Sequence, residues 1–235
     1  MKPLYMAKPV RESLGSCLRP GGEDLTRRAI ELLQPKPDSV IVDAGCGVGG
    51  GMQVLAKEGR RVFGLDLDFG FLSEAKKSGA PLLQADLASL PLASRSVDTV
   101  FCECAWNLTV KSQVLSEFYR ILRPGGSLVL SDIYLRCRAE QQVNNGWPIT
   151  SCFSYATDLA SVTKMVAASG LEVVVVEDHI HLLKQTAAEF VFAYGSLQEF
   201  WRAVIGDEQM AKLACIASAV TRPSLFLLIA KRSKE

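Results

Sequence analysis

The sequence predicts an α/β fold built on a doubly wound, mostly parallel sheet. The first observation is a short apolar, β-branched run at 40–42, of the kind that forms a buried parallel strand. Five glycines follow within the seven residues 45–51, and a segment of helical composition comes after them. The second observation is that apolar runs and amphipathic segments then alternate along the chain. Strand, glycine turn and helix in this order are typical of a ligand-binding edge of such a sheet.

Local patterns predict the elements in chain order. Apolar residues at helical spacing indicate a first helix, which Pro35 and Pro37 end. A later amphipathic helix stops at a proline followed by a glycine pair, Pro124 to Gly126, before the next apolar run. The predicted helices are 23–33, 52–58, 71–77 and 114–122, and the predicted strands are 40–42, 61–66, 80–84, 96–102 and 127–133.

Composition narrows the class of protein. The chain has 235 residues, 49% of them hydrophobic and 22% charged, which suits one large α/β domain. A formal net charge of +1 gives no electrostatic reason to expect nucleic acid or a membrane surface as a partner. No apolar segment is long enough for a secretory leader or a membrane span, and the seven cysteines suggest reduced thiols. We therefore expect a cytoplasmic protein.

Acidic residues at the strand ends indicate which ligand the glycine turn holds. Gly45, Gly47 and Gly50 satisfy a dinucleotide-binding pattern, which is a weak signal by itself. Asp43, two residues before the first of these glycines, would repel a pyrophosphate and would suit a cationic amino acid with ammonium and sulfonium groups. Asp66 ends the second strand 23 positions later, where a carboxylate can accept the two hydroxyl protons of a ribose.

Three segments resemble one known family. The glycine turn resembles motif I of class I S-adenosylmethionine-dependent methyltransferases in the string Asp43-Ala44-Gly45-Cys46-Gly47-Val48-Gly49. Further segments that look like the family's, in the family's order, are Ala85-Asp86-Leu87 and Arg123-Pro124-Gly125-Gly126. The resemblance covers residues 24–133. Within the family, the sequence resembles the small-molecule, ubiquinone-biosynthesis type.

The resemblance implies a cofactor, a fold and a set of binding residues. The cofactor is S-adenosyl-L-methionine, with Asp86 accepting the adenine amine and the Leu87 backbone N–H reaching a ring nitrogen. The fold is a Rossmann-like, seven-stranded sheet whose last strand is antiparallel, with strands six and seven at 171–176 and 225–230 and a helix at 153–169 between strands five and six. The implied cofactor-binding residues are Asp43, Gly45, Cys46, Gly47, Asp66, Leu67, Asp86, Leu87 and Glu103.

The acceptor side is predicted from residues just past the fourth strand. Glu103 and Trp106 lie there beside the glycine turn, where chemistry takes place in doubly wound sheets, and we take them as catalytic candidates. His179 is a third candidate, because it and His181 point to one side of an extended chain. A strand-end histidine without a role is the alternative. We expect a small-molecule acceptor and no metal, since the spacing of Cys102 and Cys104 does not match a zinc site.

Two segments lie outside the family pattern. Residues 178–223 separate the last two strands by 46 residues with two helical patterns, at 182–205 and 208–220, which suggests a helical insert. It would cap the substrate pocket or form a homodimer contact. The predicted organisation is an N-terminal arm at 1–22 and a methyltransferase domain at 23–235 that carries this insert. The arm is either a lid, with Tyr5 and Arg11 over the pocket, or a loose leader.

Three other functions stay open at this stage. Four cysteines, at 102, 104, 137 and 152, would suit an arsenite or thiol methyltransferase, although buried cysteine is often a small hydrophobe. An NAD-binding oxidoreductase would need a second phosphate turn after a strand, and the sequence Arg-Pro-Gly-Gly at 123–126 precedes one instead. The third is a non-catalytic nucleoside-binding protein.

Overall fold

Seven strands form a single sheet in the computed structural model, which describes residues 3–57, 60–137 and 146–235. The strands are β1 (Val40–Ala44), β2 (Arg61–Asp66), β3 (Leu82–Gln84), β4 (Val97–Glu103), β5 (Leu122–Leu135), β6 (Leu171–Asp178) and β7 (Pro223–Arg232). Their order across the sheet is β3-β2-β1-β4-β5-β7-β6. Strands β1 to β5 pair in parallel, and β7 is antiparallel to both β5 and β6. The predicted fold class is thereby confirmed.

Helices connect the strands and cover both faces of the sheet. In the described ranges they are α1 (Lys8–Leu14), α2 (Gly22–Leu33), α3 (Gly50–Leu55), α4 (Phe69–Ala75), α5 (Lys111–Ile121), α6 (Leu159–Ala168), α7 (Ile180–Tyr194), α8 (Leu197–Ile205) and α9 (Glu208–Thr221). The helix predicted at 52–58 starts two residues earlier, and its predicted end lies outside the described residues. The helix predicted at 153–169 begins only at Leu159, where the Asp158 carboxylate caps it by accepting a hydrogen bond from Ser161 N.

Two hydrophobic cores lie on opposite faces of the sheet. Side chains of a strand alternate between its faces, so that Phe101 of β4 joins one core while its neighbour Cys102 joins the other. The first core lies under α2, α3, α8 and α9, and the second lies under α5 and α6. Both consist of fully buried aliphatic and aromatic residues, as expected for a sheet covered on both faces.

The insert consists of three helices where the sequence predicts two helical patterns. The break falls at Gly195, whose φ of +85° ends α7, and at Ser196, whose hydroxyl accepts a hydrogen bond from Glu199 N at 3.1 Å to start α8. Phe200 of α8 stacks on Phe190 of α7 with ring centroids 3.9 Å apart and is buried in the first core. This packing attaches the insert to the sheet.

The edge of the sheet where the parallel strands end collects the sequence-predicted residues. Asp43 of β1 lies opposite Gly64 of β2 and Phe101 of β4, and Glu103 of β4 lies opposite Ser131 of β5. The carboxyl ends of β1, β2 and β4 therefore meet at one edge. In the described part of the chain, no helix has the length and apolar character needed to cross a bilayer.

Phe200→Ala tests whether the insert is a stabilising part of the fold. We expect a loss of about 3–5 kcal/mol in the free energy of unfolding, because a buried stacked ring leaves a cavity. Urea denaturation followed by circular dichroism measures it. The matched control is Phe192→Ala on α7, since that ring is 94% exposed and its loss should change stability by less than about 0.5 kcal/mol. Equal effects of the two substitutions would contradict this role of the insert.

Candidate active site

The glycine turn after β1 is held against the ends of β2 and β4. The backbone N–H groups of Gly45 and Cys46 both donate to Leu65 O, at 2.8 and 2.9 Å. Gly45 has a φ of +81°, and a Cβ added there would lie only 2.4 Å from the Cβ of Ala105. Glycine is therefore required at this position for backbone conformation and for space. The Cys46 side chain is buried in the first core, so only the backbone of Cys46 faces the turn.

Asp66 is positioned at the rim of this turn by backbone donors. Its carboxylate accepts hydrogen bonds from Gly47 N at 2.8 Å and from Asp68 N at 2.9 Å. Burial nevertheless raises the pKa of Asp66, with the backbone hydrogen bonds acting in the opposite direction. Leu67 follows with a side chain that is 67% exposed. The structure thus places Asp66 and Leu67 next to the turn, as the sequence predicts.

The segment after β3 approaches the same edge. Ala85 N donates to Asp66 O at 3.0 Å, which joins this segment to the end of β2. Asp86 is exposed and accepts a hydrogen bond from Ala88 N at 2.9 Å, so its carboxylate organises a turn. The buried side chain of Leu87 reaches the turn, with its Cδ1 4.0 Å from where a Gly45 Cβ would lie. The residues predicted for the adenine end therefore lie beside those predicted for the ribose.

Asp43 is a buried carboxylate without a hydrogen-bond donor among the described residues. It is 4% exposed, and its Oδ2 lies 3.1 Å from the Cβ position of Gly51 at the start of α3. Burial, and then the negative charge of Glu103, raise the pKa of Asp43 to about 7. Buried carboxylates in proteins are normally paired or hydrogen-bonded. The site therefore has an anionic group that a cationic donor would stabilise.

Glu103 is already paired inside the protein. Its Oε2 accepts a hydrogen bond from the guanidinium of Arg19 at 2.6 Å, and both side chains are 4% exposed. Thr26 of α2 adds a hydroxyl 3.0 Å from the same oxygen. Burial opposes the charged guanidinium, but the charge and hydrogen bond of Glu103, together with Cys17 and Cys104, outweigh burial and raise the pKa of Arg19. Glu103 thus positions the N-terminal arm, and this pairing weakens its candidacy as a general base.

The N-terminal arm lies over the glycine turn. A Cβ on Gly50 would be 2.4 Å from Ser16 O, so the arm backbone rests directly on the start of α3. Tyr5 contacts the Phe71 ring at 5.8 Å between centroids, and the pKa of Tyr5 is raised by burial and by the nearby charges of Asp66 and Asp68. The Arg11 guanidinium pairs with Glu74 of α4 at 2.5 Å. These contacts favour the lid over the loose leader, the two alternatives that the sequence leaves open for the arm.

A cavity of about 320 Å³ adjoins this edge of the sheet. Its walls come from the arm, from the residues after β4 and from the three helices of the insert, including Tyr5, Cys104, Leu108 and Trp201. The insert therefore caps a pocket, one of its two predicted roles. The size falls within the range of small-molecule sites, about 300–1,000 Å³.

Two of the catalytic candidates lie away from this cavity. Trp106 is fully buried in the second core, and its Nε1 donates to Lys111 O at 3.3 Å. His179 pairs through Nε2 with Glu177 at 2.9 Å, and it is absent from the described cavity wall. These partners favour structural roles for both residues.

The cysteines are divided between the two faces of the sheet. Cys104 and Cys152 line the cavity, and a hydrogen bond between their thiols, together with burial, raises the pKa of Cys104 well above its usual value. Cys102 is fully buried in the second core. Among the described residues, no group of three or more His, Cys, Asp or Glu side chains is arranged to hold a metal ion. The raised pKa of Cys104 disfavours thiolate chemistry at this residue.

Arg19 and Thr26 are site residues that sequence reasoning did not single out. Arg19 precedes a Pro-Gly-Gly string in the arm, and Thr26 lies within an amphipathic helix, so neither belongs to a recognisable motif. A buried arginine that pairs across 84 residues of chain leaves no local spacing signal. Only the unusual run Arg-Pro-Gly-Gly at 19–22 marks the place where the arm turns into α2.

Sequence comparisons with known proteins find methyltransferases. Residues 42–130 match the family profile described as "Methyltransferase domain". A malonyl-[acyl-carrier protein] O-methyltransferase of Hamiltonella defensa is 36% identical over 110 residues, which are 45% of this chain and 42% of that protein. A protein of Mycolicibacterium smegmatis named as a probable S-adenosylmethionine-dependent methyltransferase is 31% identical over 139 residues, or 57% of this chain and 52% of that one. The matches thus span about half the length of each relative.

A solved structure shows the same fold over nearly the whole chain. Phosphoethanolamine N-methyltransferase 2 of Haemonchus contortus, in complex with S-adenosyl-L-methionine, superposes with a TM-score of 0.76 at 19% identity, covering 96% of this chain and 56% of that one. The family profile confirms the predicted resemblance to class I S-adenosylmethionine-dependent methyltransferases over residues 42–130, and the solved structure confirms the fold. The ubiquinone-biosynthesis subtype stays a prediction.

Arg19→Met tests the buried ion pair. Removing the guanidinium leaves Glu103 buried without its cationic partner, and we expect a loss of about 3–5 kcal/mol in the free energy of unfolding. The double variant R19M/E103Q should lose less than the sum of the two single variants, because it removes both charges together. Urea denaturation of the four proteins gives this cycle.

The matched control for this cycle is the exposed pair of Arg27 and Glu23 on α2, whose closest atoms are 2.7 Å apart. Arg27→Met should hardly change stability, because solvent screens an exposed pair. Additive losses in R19M/E103Q, or an equal loss in Arg27→Met, would contradict the buried pair's role.

Proposed function

We propose that the protein transfers a methyl group from S-adenosyl-L-methionine to a small-molecule acceptor. The observation that carries this proposal is the buried carboxylate of Asp43, which lacks a donor among the described residues and lies beneath a glycine turn. An α-ammonium group is a donor of the required charge. The family match and the cavity next to the turn support the same function.

The residues present fit the cofactor. Asp43 would pair with the ammonium group, and the backbone at Gly45 and Gly47 would permit close approach, since a side chain at Gly45 would clash with Ala105. Asp66 would accept the ribose hydroxyl protons, because its remaining lone pairs lie at the rim of the turn. By the resemblance, Asp86 and Leu87 would hold the adenine. All of these groups lie along one continuous edge of the sheet.

The mechanism rests on orientation and exclusion of water. The bound cofactor supplies an electrophilic methyl group on a sulfonium, and an acceptor lone pair must approach it in line. The arm covers the turn through Ser16, and the insert closes the cavity where the acceptor would lie. The described cavity wall contains no carboxylate and no histidine. This favours an acceptor atom that is nucleophilic without a protein base.

Two of the alternative functions are disfavoured by the same geometry. An NAD-binding oxidoreductase would place a negatively charged pyrophosphate next to the buried carboxylates of Asp43 and Glu103, which would repel it. An arsenite methyltransferase would hold the metalloid through protein thiolates, but Cys102 lies in the opposite core and the pKa of Cys104 is raised. A non-catalytic nucleoside-binding protein would bind the cofactor without turnover, which an activity assay would detect.

Asp43→Asn tests the proposed ammonium contact. We expect S-adenosylhomocysteine to bind the wild type, and the variant to bind it at least tenfold more weakly, a loss of about 1.4 kcal/mol. Isothermal titration calorimetry measures both affinities. Asp68→Asn is the matched control, because Asp68 caps α4 through a hydrogen bond from Phe71 N at 3.1 Å and asparagine keeps that cap. Unchanged affinity in folded Asp43→Asn, or binding of NAD instead, would contradict the proposal.

The same titration has a pH dependence with a definite sign. Because the pKa of Asp43 is about 7 in the folded protein, its carboxyl binds a proton below that pH, and an ammonium ligand must displace this proton. Affinity should therefore fall as the pH is lowered from 8 to about 5.5, with proton release seen as a buffer-dependent enthalpy. In Asp43→Asn both effects should disappear. A proton release that persists in this variant would assign the titration to another group.

The exposed face of the insert is a candidate contact between two copies of the chain. We infer a homodimer because α9 exposes an apolar stripe at helical spacing, formed by Leu213, Ile216 and Val220, which are 42, 56 and 52% exposed. Light scattering should give a particle mass near twice the chain's 25.6 kDa, and Ile216→Glu should halve it. A monomer in the wild type would overturn this inference. A cytoplasmic location and the absence of a nucleic-acid partner stay predictions of the sequence.

A further inference from the structure

The cavity beside the glycine turn has walls that are mainly aliphatic and aromatic. Leu14 of α1, Leu183 of α7 and Phe200 of α8 contribute to it, as do Trp147 and Phe153, whose rings stack 4.7 Å apart between centroids. These side chains come from different elements of the fold and enclose one volume. A wall of this kind favours an acceptor with an apolar body, since burial of apolar surface is the main source of affinity in such sites.

The charged side chains that the structure describes in this wall all have one sign. Arg19, Arg136, Lys184 and Arg222 line the cavity, and no aspartate or glutamate is present among its described lining residues. Arg19 is compensated by its ion pair with Glu103. The other three are exposed, and none of them forms an ion pair with a described residue. Three cations with no compensating anion among the described residues therefore line an apolar cavity.

A fourth donor lies deeper in the wall. Trp147 is 5% exposed, and its Nε1 hydrogen has no acceptor among the described residues. A buried donor without a partner is costly, so a ligand oxygen within the cavity would stabilise it. The wall thus combines apolar surface with unused hydrogen-bond donors. Such a site suits a ligand that carries oxygen acceptors and negative charge.

The strand geometry separates the cations from the site of methyl transfer. Cys104 N donates to Ser131 O at 2.7 Å, which aligns the end of β4 with Ser131 of β5. Arg136 follows five residues later, and at about 3.3 Å per residue it lies roughly 16 Å farther along the chain direction. Arg136 Nε donates to Arg222 O at 3.3 Å, so the Arg136 guanidinium lies against the backbone of Arg222. A ligand that reaches both places must be elongated.

We propose that the methyl acceptor is an elongated amphiphile with a carboxylate or phosphate group at the end remote from the accepted methyl. The inference rests on the proposed methyltransferase function for the location of the reacting atom. Arg136, Arg222 and Lys184 bind the anionic group at the opening, and the apolar wall holds the chain. Trp147 donates to an oxygen along it. Specificity then depends on two features of the acceptor: an anionic group that pairs with the cations, and an apolar chain long enough to reach from that group to the accepted methyl.

Probe binding tests this proposal without turnover. The probes are decanoate, decyl phosphate, decanol and decyltrimethylammonium, which share a chain and differ in the charged group. Binding is followed by the emission of Trp147 and Trp201, which both line the cavity. We expect decanoate or decyl phosphate to bind the wild type at least tenfold more tightly than decanol, and decyltrimethylammonium to bind most weakly. The preference between the two anions distinguishes a carboxylate from a phosphate acceptor.

Variants that remove the positive charges test whether Arg136 and Lys184 cause the preference for anionic probes. Arg136→Gln/Lys184→Gln should reduce the preference for the anionic probe to threefold or less, while the affinity for decanol stays the same. Trp147→Phe should weaken the binding of the probes that carry oxygen, with the emission of Trp201 as the remaining reporter. Lys164→Gln on α6 is the matched control, because Lys164 is an exposed cation outside the cavity wall and its loss should leave all affinities unchanged.

Each outcome has one meaning for the proposal. Equal binding of decanol and decanoate, tightest binding of the cationic probe, no binding of any probe, or an anion preference that survives in Arg136→Gln/Lys184→Gln would overturn it. Titration with S-adenosylhomocysteine separates this result from the proposed function. If S-adenosylhomocysteine binds and the anion preference is absent, the acceptor class is wrong and the methyltransferase function stands. If the preference is present and S-adenosylhomocysteine does not bind, the proposed function fails.

Discussion

A group of three buried charges beneath the glycine turn underlies the organisation of the site. Arg19 and Glu103 neutralise each other, and Asp43 is left as an anion with little solvent and no donor among the described residues. A desolvated carboxylate of this kind is unfavourable in the unliganded protein, which is why its pKa rises to about 7. The proposed cofactor would supply the missing cation, so that this carboxylate would contribute to the binding energy.

The ion pair also connects elements that are remote in the chain. Arg19 lies in the arm, Thr26 in α2 and Glu103 at the end of β4, and their hydrogen bonds fasten the arm over the turn. Arg19 in addition donates to Gly22 O at 2.6 Å, which shapes the entry into α2. The arm is therefore part of the site. Because buried pairs tolerate little displacement, the arm is held in a defined position relative to the sheet.

The residues that match the family profile and the residues that line the cavity come from different parts of this fold. The glycine turn, Asp66 and the Ala-Asp-Leu segment lie on the parallel strands, where the family profile matches. The cavity wall is formed largely by the arm and by α7 to α9, which lie outside the matched residues 42–130. Elements added to a common sheet are where related folds differ in their ligands. The acceptor class must accordingly be read from the cavity wall of this chain.

The sequence by itself determined the order of the parallel strands and the position of the glycine turn with its strand-end acids. Periodicity, glycines and strand-end acids are local signals, and they located β1 to β5, Asp43 and Asp66 in the correct order. Only the tertiary structure decided which side chains face the cavity. The alternation of β4 puts Cys102 in the second core, Trp106 joins it there, and Cys104 faces the cavity. Arg19 meets Glu103 across 84 residues, and such long-range pairing depends on packing that no local pattern encodes.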